Sequence, residues 1–442
     1  MFLLNFLIFS FAIHQTLFWI YWWQTKEYRL DRFWSFFKTD WRELFSEQFN
    51  LKKWRRPKAT IRGILTSSSN IISVLIELII LKRFSFLVLV FAPLQIVLAN
   101  LVFALLFWFP KKIQIQKAKR KIKNFKGVVL GITGSFGKSS TKEILSFVLA
   151  KKYKVVKTEG NHNTLIGVAQ TILKKVQGDE DFFIVEMGAY KRGEVKVICD
   201  LVQPKAGIIT GLSDQHLDLF GSLANIRRTK YELFAAIPKN GLKLLAAKDY
   251  SPNDLKDLKQ ERESLEFYLD KSKCRVPVLG KSLALNIAGA VKATKFFGLS
   301  PQEIANRLNY LPKNVFYPKL KKLSKEIYLV DDSYNAGLES FLSVLNYLKI
   351  YKGFRKVVVT PGIIELGKKA KNDHLTIGKA LKFVDKIIVT KPNNFNELNF
   401  GGKAELITNF GKIQEAINSE LQPKTVILFK GRVPAGLTEV IL

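Results

Sequence analysis

Apolar residues follow two different patterns along the chain, and the change comes near residue 110. Residues 1–23 and 85–109 are long runs without a charged side chain, and residues 64–81 form a shorter run that contains one acid, Glu77. Uncharged runs of about 20 residues are typical of helices that can cross a bilayer. The pattern predicts three apolar helices, with residues 64–81 forming either a third span or a helix that lies at the membrane interface.

Basic residues are concentrated beside these runs. Residues 24–63 contain eleven Lys and Arg against five acids, and residues 111–126 contain eight and no acid. Flanks of this kind are retained on the cytoplasmic side of a membrane and attract anionic lipid. We therefore expect a multi-pass protein of the cell membrane, with membrane lipid as a partner and a cytoplasmic remainder. The membrane segment would be residues 1–110, and residues 111–126 would be a basic juxtamembrane linker.

From residue 127 onward, short apolar runs alternate with stretches of helical periodicity. This alternation predicts an α/β fold in which helices cover parallel sheets. The first set of predicted strands comprises 127–133, 153–157, 182–186, 206–210 and 242–247, and the second comprises 326–331, 356–360, 386–390 and 425–430. The Pro- and Lys-rich segment 311–322 is the predicted hinge. It separates a central P-loop ATP-binding domain, 127–312, from a smaller Rossmann-like domain, 313–442.

Composition excludes several classes of protein. Two cysteines cannot form a disulfide framework, and four histidines are too few for a His-rich metal enzyme. The 442 residues carry 70 Lys and Arg against 37 Asp and Glu, which gives a formal net charge of +33. No basic-aromatic recognition motif accompanies this charge, so we expect no nucleic acid partner.

The strongest chemical signal is the glycine-rich segment Gly131–Thr141, GITGSFGKSST. A phosphate cradle needs glycines that let backbone N–H groups approach an anion, followed by a helix N-terminus. It also needs a lysine for the outer phosphates and a hydroxyl for Mg²⁺, which Lys138 and Ser139 would supply. The strict motif would have glycine where Ile132 stands. The segment therefore predicts nucleotide binding, with a tight strand-to-helix turn as the alternative.

This segment and others that follow it in order resemble the Mur ligases, the ATP-dependent amide-bond synthetases that build cell-wall peptides. The similarity covers roughly residues 127–442. The further matching segments are TEGNHNTLIGV at 158–168, EMGA at 186–189, TGLSDQHLDLFGS at 210–222, DDSYNA at 331–336, IELG at 364–367 with His374, and FKGR at 429–432.

The resemblance implies ATP and Mg²⁺ as cofactors and gives roles to particular residues. The implied ATP-binding residues are Thr133, Gly134, Ser135, Phe136, Gly137, Lys138, Ser139, Ser140, Asn286, Lys319, Asp332 and Asn335. The implied metal ligands are Ser139, Glu186 and His216, the implied catalytic residues are Lys138, His216 and Lys230, and the implied substrate contacts are Asn161, Asn163 and Thr164. Lys230 falls where many family members carry a carbamylated lysine.

The resemblance also implies an activity. ATP would activate a peptide carboxylate as an acyl phosphate. An amine, with D-Ala-D-Ala as the first candidate, would convert this acyl phosphate to an amide. The partners would be a cell-wall peptide precursor, the amino acid or dipeptide, and other cell-wall synthesis proteins. The alternatives are a ligase that adds another amine or uses a lipid-linked or pseudomurein-type precursor, and a non-catalytic membrane scaffold that binds nucleotide.

Several departures leave the acyl carrier open. The family domain that grips UDP is not recognisable before residue 127. Positions that differ from the family pattern are Thr164, Gly211, Ser213, Ser282 and Lys319.

Each implied role also has a simpler structural reading. His216 could cap a helix or fill a core, Glu186 could form a buried ion pair, and Lys230 could be a surface lysine. Asp332 and Asn335 could cap the helix that follows them, because Asp and Asn favour such positions.

Overall fold

The structure is a computed structural model that describes residues 2–26, 28–30, 32–34, 57–81, 87–160, 162–213, 217–313, 315–333, 337–363, 366, 369–434 and 436–437. The chain divides into two compact units, Met1–Gln116 and Lys117–Leu442.

Three long helices account for most of the described residues of the first unit. They are α1 (Phe2–Thr25), α2 (Ile61–Leu81) and α3 (Leu87–Lys123), and all three are long and apolar enough to cross a membrane by length and composition. The predicted linker at 111–126 differs from the structure, since α3 continues through most of it. Its Lys, Gln, Arg and Ala residues are good helix formers, so the basic sequence extends the helix.

Helix α1 is the best buried of the three. Phe18, Trp19, Ile20 and Trp23 form a buried cluster with Ile96 of α3 inside the first unit. Helices α2 and α3 leave many large apolar side chains exposed, among them Ile72, Ile79 and Leu105.

The central domain of the second unit is built on a parallel five-stranded sheet in the order β2-β3-β1-β4-β5. Its strands are β1 (Val128–Thr133), β2 (Val155–Lys157), β3 (Phe182–Glu186), β4 (Ala206–Ile209) and β5 (Leu242–Leu245). The helices between them are α4 (Lys138–Leu149), α5 (Leu165–Lys175), α6 (Glu194–Val202), α7 (Leu217–Phe220) and α8 (Leu223–Ala236). The predicted parallel sheet is confirmed, and Ile132 of β1 lies opposite both Glu186 and Ile208, which brings three strand ends together.

The sequence patterns did not predict a small antiparallel sheet that follows β5. A short 3₁₀ helix (Pro252–Asp254) leads into β6 (Lys256–Gln260), β7 (Leu265–Leu269) and β8 (Ser272–Val276), and then come α9 (Ser282–Phe296) and α10 (Pro301–Asn309). Strand β6 reads KDLKQ and is mostly exposed, so it has no apolar alternation by which it could be recognised.

The C-terminal domain contains a six-stranded sheet in the order β13-β12-β11-β14-β10-β9. Its strands are β9 (Lys319–Ser324), β10 (Ile327–Asp332), β11 (Arg355–Thr360), β12 (Lys386–Val389), β13 (Ala404–Leu406) and β14 (Thr425–Lys430). Its helices are α11 (Leu338–Leu348), α12 (Ala370–Ala380), a 3₁₀ helix (Leu381–Phe383), α13 (Phe395–Leu398) and α14 (Phe410–Asn418). Strand β9 alone is antiparallel, and it begins inside the predicted hinge 311–322.

The two domains of the second unit meet at α11. The Tyr347 hydroxyl donates a hydrogen bond to the Arg262 carbonyl in the β6–β7 turn, at 2.5 Å, and the Ser282 N–H donates to Ser343 Oγ at 3.3 Å. Leu279 of the central domain packs in the C-terminal core. The β6–β7 turn and the segment 279–282 therefore anchor the C-terminal domain.

His374 holds the loop that follows β11. The Ile363 N–H donates to His374 Nε2 at 2.9 Å, so the ring proton lies on Nδ1, which donates to the Ala370 carbonyl at 2.6 Å. The ring is fully buried, and this burial lowers the pKa of His374. The neutral ring is therefore the form that the fold requires.

We predict that His374 makes stability fall in mild acid. A depressed pKa means that the unfolded chain takes up the proton first, so stability is lost as pH falls below the unfolded value of about 6.5. The free energy of unfolding in urea should drop between about pH 7.5 and about pH 5.5. In His374→Ala this drop should shrink, although the variant is less stable throughout. The exposed His162→Ala serves as the control, and an equal drop in all three proteins would contradict the prediction.

Candidate functional site

The glycine-rich loop between β1 and α4 leaves no room for side chains at two positions. Gly134 has φ +150° and Gly137, the N-cap of α4, has φ +82°. A Cβ at Gly134 would lie 2.0 Å from Thr210 Oγ1, and one at Gly137 would lie 2.3 Å from Asn286 Oδ1. The loop is thus pressed between the end of β4 and helix α9, with the N-terminus of α4 as an anion-attracting end.

Residues after β4 hold this loop in place. The Ser135 N–H donates to the Gly211 carbonyl at 2.8 Å, and Ser135 Oγ both donates to the Ser213 carbonyl and accepts from its N–H. The Thr210 hydroxyl donates to the Phe136 carbonyl. A Cβ at Gly211 would lie 1.8 Å from the Phe136 ring. Gly211 and Ser213, which depart from the family pattern, therefore shape the loop, a role that spacing alone did not reveal.

Other hydroxyls in the predicted site have structural hydrogen bonds. Thr133 Oγ1 is buried and donates to the Met187 carbonyl at 2.9 Å. Thr164 is the N-cap of α5, and its hydroxyl accepts from the Gly167 N–H at 3.3 Å. Ser139 and Ser140 lie in the first turn of α4.

Two lysines converge on a small cavity beside the loop, of about 70 Å³. Lys138 Nζ donates to the Gly134 and Ser135 carbonyls at 2.8 and 3.1 Å. Lys230, only 3% exposed, lines the same cavity, so it is not a surface lysine. Desolvation lowers the pKa of Lys138, and desolvation together with the charge of Lys138 lowers the pKa of Lys230 to about 7. An anion in the cavity would relieve both penalties.

Glu186 lies at the carboxyl end of β3 and is 1% exposed. Its Oε1 accepts from Asn163 Nδ2 at 3.0 Å, and its Oε2 lies 3.2 Å from the Lys142 ammonium. The Glu186 N–H donates to Thr158 Oγ1 at 3.0 Å. The structure thus brings together Glu186 and Asn163 as predicted site residues, and it adds Lys142. The one available signal for Lys142 was its position one helical turn after Lys138.

The described part of the chain fits Mg²⁺ only in part. Glu186 Oε2 is buried, with the Lys142 ammonium 3.2 Å away, and a carboxylate and a hydroxyl are oxygen ligands that Mg²⁺ accepts. Among the residues that the structure describes, no group of three His, Cys, Asp or Glu side chains could hold a metal. His216, Asn161 and Asn335 lie outside the described residues, so their predicted roles stay predictions.

The remaining predicted ATP-binding residues lie apart along the chain. Asn286 is buried in α9 against Gly137, and its Oδ1 has no hydrogen-bond partner. Lys319 lies in β9, with its ammonium 4.7 Å from the Tyr317 ring centroid. Asp332 of β10 forms a buried ion pair with Lys430 of β14.

The Asp332–Lys430 pair is a structural feature of the C-terminal sheet. Lys430 Nζ also donates to Ser340 Oγ at 2.7 Å, and α11 begins after Gly337, which gives no side-chain cap. Asp332 therefore does not cap α11, which was the structural role predicted as the alternative for this residue. Burial raises the pKa of Asp332 and lowers that of Lys430, while their attraction opposes both shifts.

Two family profiles match most of the second unit of the chain. The profile described as Mur ligase middle domain matches residues 132–273, and the profile described as Mur ligase, glutamate ligase domain, matches residues 319–433. Together they span more than half the chain. The chain belongs to the Mur ligase family. The ligase class predicted from the sequence is confirmed with it, as is the α/β fold with a parallel sheet and a C-terminal sheet domain.

Individual relatives are consistent with this membership. The UDP-N-acetylmuramoyl-tripeptide–D-alanyl-D-alanine ligase of Synechocystis sp. is 29% identical over 336 residues, which are 71% of this chain and 73% of that protein. The enzyme of the same name from Bacillus subtilis is 27% identical over 60% of this chain and 63% of its own length. The crystal structure of MurF ligase from Thermotoga maritima in complex with ADP superposes with a TM-score of 0.64, at 27% identity over 73% of this chain and 80% of that one.

The prediction of a multi-pass location in the cell membrane is wrong. The ligases that this Mur ligase is similar to are soluble cytoplasmic enzymes, and the three apolar helices qualify as spans by length and composition alone. A helix that is apolar all round also suits a protein core, and Trp19 and Ile20 of α1 are buried inside the first unit. A membrane segment at 1–110 and membrane lipid as a partner therefore lose their support.

We predict that Gly137→Ala damages the loop more than Gly193→Ala does. Both glycines are left-handed N-caps, with φ +82° and +87°, but only Gly137 has a neighbour in the way, since nothing lies within 4 Å of a Cβ at Gly193. In Gly193→Ala the free energy of unfolding should fall only by the cost of the backbone strain that alanine introduces, about 1–2 kcal/mol. In Gly137→Ala the free energy of unfolding should fall by the same cost and by the further cost of displacing Asn286. Thermal unfolding and nucleotide titration of both variants test this, and equal losses would contradict it.

Proposed function

We propose that this Mur ligase uses ATP and Mg²⁺ to join D-Ala-D-Ala to the terminal carboxylate of a UDP-N-acetylmuramoyl tripeptide. The observation that carries the proposal is the convergence of Lys138, Lys230 and the N-terminus of α4 on one cavity, with Glu186 at the neighbouring strand end. The names of the relatives supply the substrates. The two family profiles leave residues 1–131 unmatched, so the UDP-linked acyl carrier is proposed from the names of the relatives.

The reaction proceeds in two displacements. An oxygen of the peptide carboxylate attacks the γ-phosphorus of ATP, and the bond from that phosphorus to the β-phosphate oxygen breaks. The products of this step are ADP and an acyl phosphate. The amine nitrogen of D-Ala-D-Ala then attacks the acyl carbon, phosphate leaves, and the nitrogen loses a proton. Such chemistry asks a protein mainly for positioning and charge neutralisation.

The residues of the loop match these needs. Lys138, freed from the Gly134 and Ser135 carbonyls, and the first amides of α4 would bind and orient the phosphates. Glu186, Ser139 and His216 would hold Mg²⁺, which neutralises phosphate charge. Asn163 would keep Glu186 oriented. Asn286 would accept a hydrogen bond from the nucleotide, and Lys319 and Asn335 would contact it from the C-terminal domain. Asp332 would contact it only by exchanging Lys430 as its partner.

We predict that the purified full-length chain releases ADP only when Mg-ATP, D-Ala-D-Ala and a peptide precursor are all present. Lys138→Ala should lower kcat by about a hundredfold or more, because it removes a preorganised charge from the phosphates. Lys154→Ala is the control, since Lys154 forms an exposed ion pair with Asp179.

The UDP-linked tripeptide and its lipid-linked counterpart should be offered in parallel. Turnover with the UDP-linked form supports the proposal, and turnover with the lipid-linked form alone would replace the acyl carrier. ADP release that does not depend on the dipeptide would contradict the ligase proposal itself.

We also predict that Lys230 takes up CO₂. A pKa of about 7 leaves a neutral amine that can attack CO₂, forming a carbamate and releasing a proton. In ¹³C-bicarbonate, a carbamate resonance should appear in the ¹³C NMR spectrum and grow between about pH 6 and about pH 8, as the neutral fraction rises. Lys230→Met should lack it. The same signal in that variant, or none in the wild type, would contradict the assignment.

A further inference from the structure

Lys142 is a buried lysine that the proposed reaction does not use. It lies on α4 one turn after Lys138, and its side chain is 1% exposed. Residues four apart lie on one face of a helix, so the two ammonium groups extend from the same side of α4. A lysine is almost never buried to this degree without a partner of opposite charge.

The Lys142 ammonium joins two separate parts of the site. It lies 3.2 Å from Glu186 Oε2 at the end of β3, and it donates to the Gly160 carbonyl at 3.2 Å in the loop before α5. A second carboxylate, that of Glu143, lies 3.5 Å away. Because Glu143 is also paired with Lys157 nearer the surface, Glu186 is the partner that accounts for the depth of burial.

Asn163 closes the connection from the other side. Its Nδ2 donates to Glu186 Oε1 at 3.0 Å, and its carbonyl accepts from the Gly188 N–H at 2.8 Å. A Cβ at Gly188 would lie 2.8 Å from the Asn163 side chain, so the loop lies directly on the strand end. A chain of contacts thus runs from Gly160 through Lys142 and Glu186 to Asn163, and it ties the loop before α5 to the end of β3.

We propose that Lys142 is a positioning residue that locks the segment 158–164 onto Glu186, and so fixes where the acyl substrate binds relative to the phosphate loop. The inference rests on the proposed function and on the substrate contacts that the family resemblance implies for Asn161, Asn163 and Thr164. Lys142 belongs to the helix that begins at the phosphate loop, so it holds the nucleotide side and the acyl side in one register. Removing its charge should release the segment without disturbing the loop glycines, which have contacts of their own.

The positioning role differs from a purely structural one in the parameter that changes. If Lys142 only stabilises the fold, its loss lowers the unfolding temperature and leaves kinetic constants unchanged in the folded fraction. If it locks the segment, its loss weakens binding of the acyl substrate and leaves nucleotide binding intact. Hydrogen exchange of residues 158–164 reports the lock directly and needs no catalysis.

The test compares Lys142→Met, which keeps length and removes charge, with Lys142→Arg and with the exposed control Lys154→Met. In Lys142→Met we expect the KM for the peptide precursor to rise by about tenfold or more, as for loss of one charged hydrogen bond. The KM for ATP and the Kd for ADP should stay within about twofold. Exchange in 158–164 should quicken in Lys142→Met, less in Lys142→Arg, and not in Lys154→Met.

Unchanged exchange in 158–164, or equal rises in both KM values, would overturn the proposal. If Lys142→Met does not fold, Lys142→Arg carries the same test with smaller changes in the same direction. If the wild type forms no amide, the proposed function fails, and exchange and ADP titration still decide whether Lys142 locks the segment.

Discussion

The burial of positive charge around one glycine loop is the constraint on which the site depends. Three lysines lie within or beside this loop, namely Lys138, Lys142 and Lys230, and the cost of burying the charge is reduced in a different way for each. Lys142 has a carboxylate partner, Lys138 has two backbone carbonyls, and Lys230 has a lowered pKa. The Lys138 ammonium faces neutral carbonyls, so a bound anion would stabilise its buried charge, which is why the cavity suits the phosphates of a nucleotide better than a neutral molecule.

This charge can be concentrated because the parallel sheet brings the ends of β3, β1 and β4 side by side. Each strand end contributes something different: Glu186 from β3, the glycine loop from β1, and Thr210 to Ser213 from β4. The close approach has a steric requirement, since side chains at Gly134, Gly137 or Gly211 would occupy space that Thr210, Asn286 and Phe136 already fill. Electrostatics and packing therefore constrain the same few residues.

Sequence reasoning succeeded where burial leaves a continuous apolar run. Strands β3 and β14 were predicted with the bounds that they have, because both are buried along their whole length. It missed β6 and β9, whose exposed lysines hide the strand pattern. The three apolar runs at 1–23, 64–81 and 85–109, with their basic flanks, led to a wrong membrane location. Motif order found Lys138, Glu186 and Asn163, but contacts such as that between Lys142 and Gly160, 18 residues apart, exist only after folding.

The C-terminal domain also buries a lysine, but there a carboxylate on the neighbouring strand neutralises its charge. Lys430 is fully buried, and Asp332 on the neighbouring strand neutralises it with help from Ser340. Breaking such a pair leaves an uncompensated charge in a low-dielectric interior, so it fixes the strand ends that carry both residues. In the central domain the corresponding charges are only partly paired. The central sheet therefore keeps charge that an anionic ligand could neutralise, whereas the charge of Lys430 is neutralised within the C-terminal sheet, which the hydrogen bond from Tyr347 to the Arg262 carbonyl anchors to the central domain.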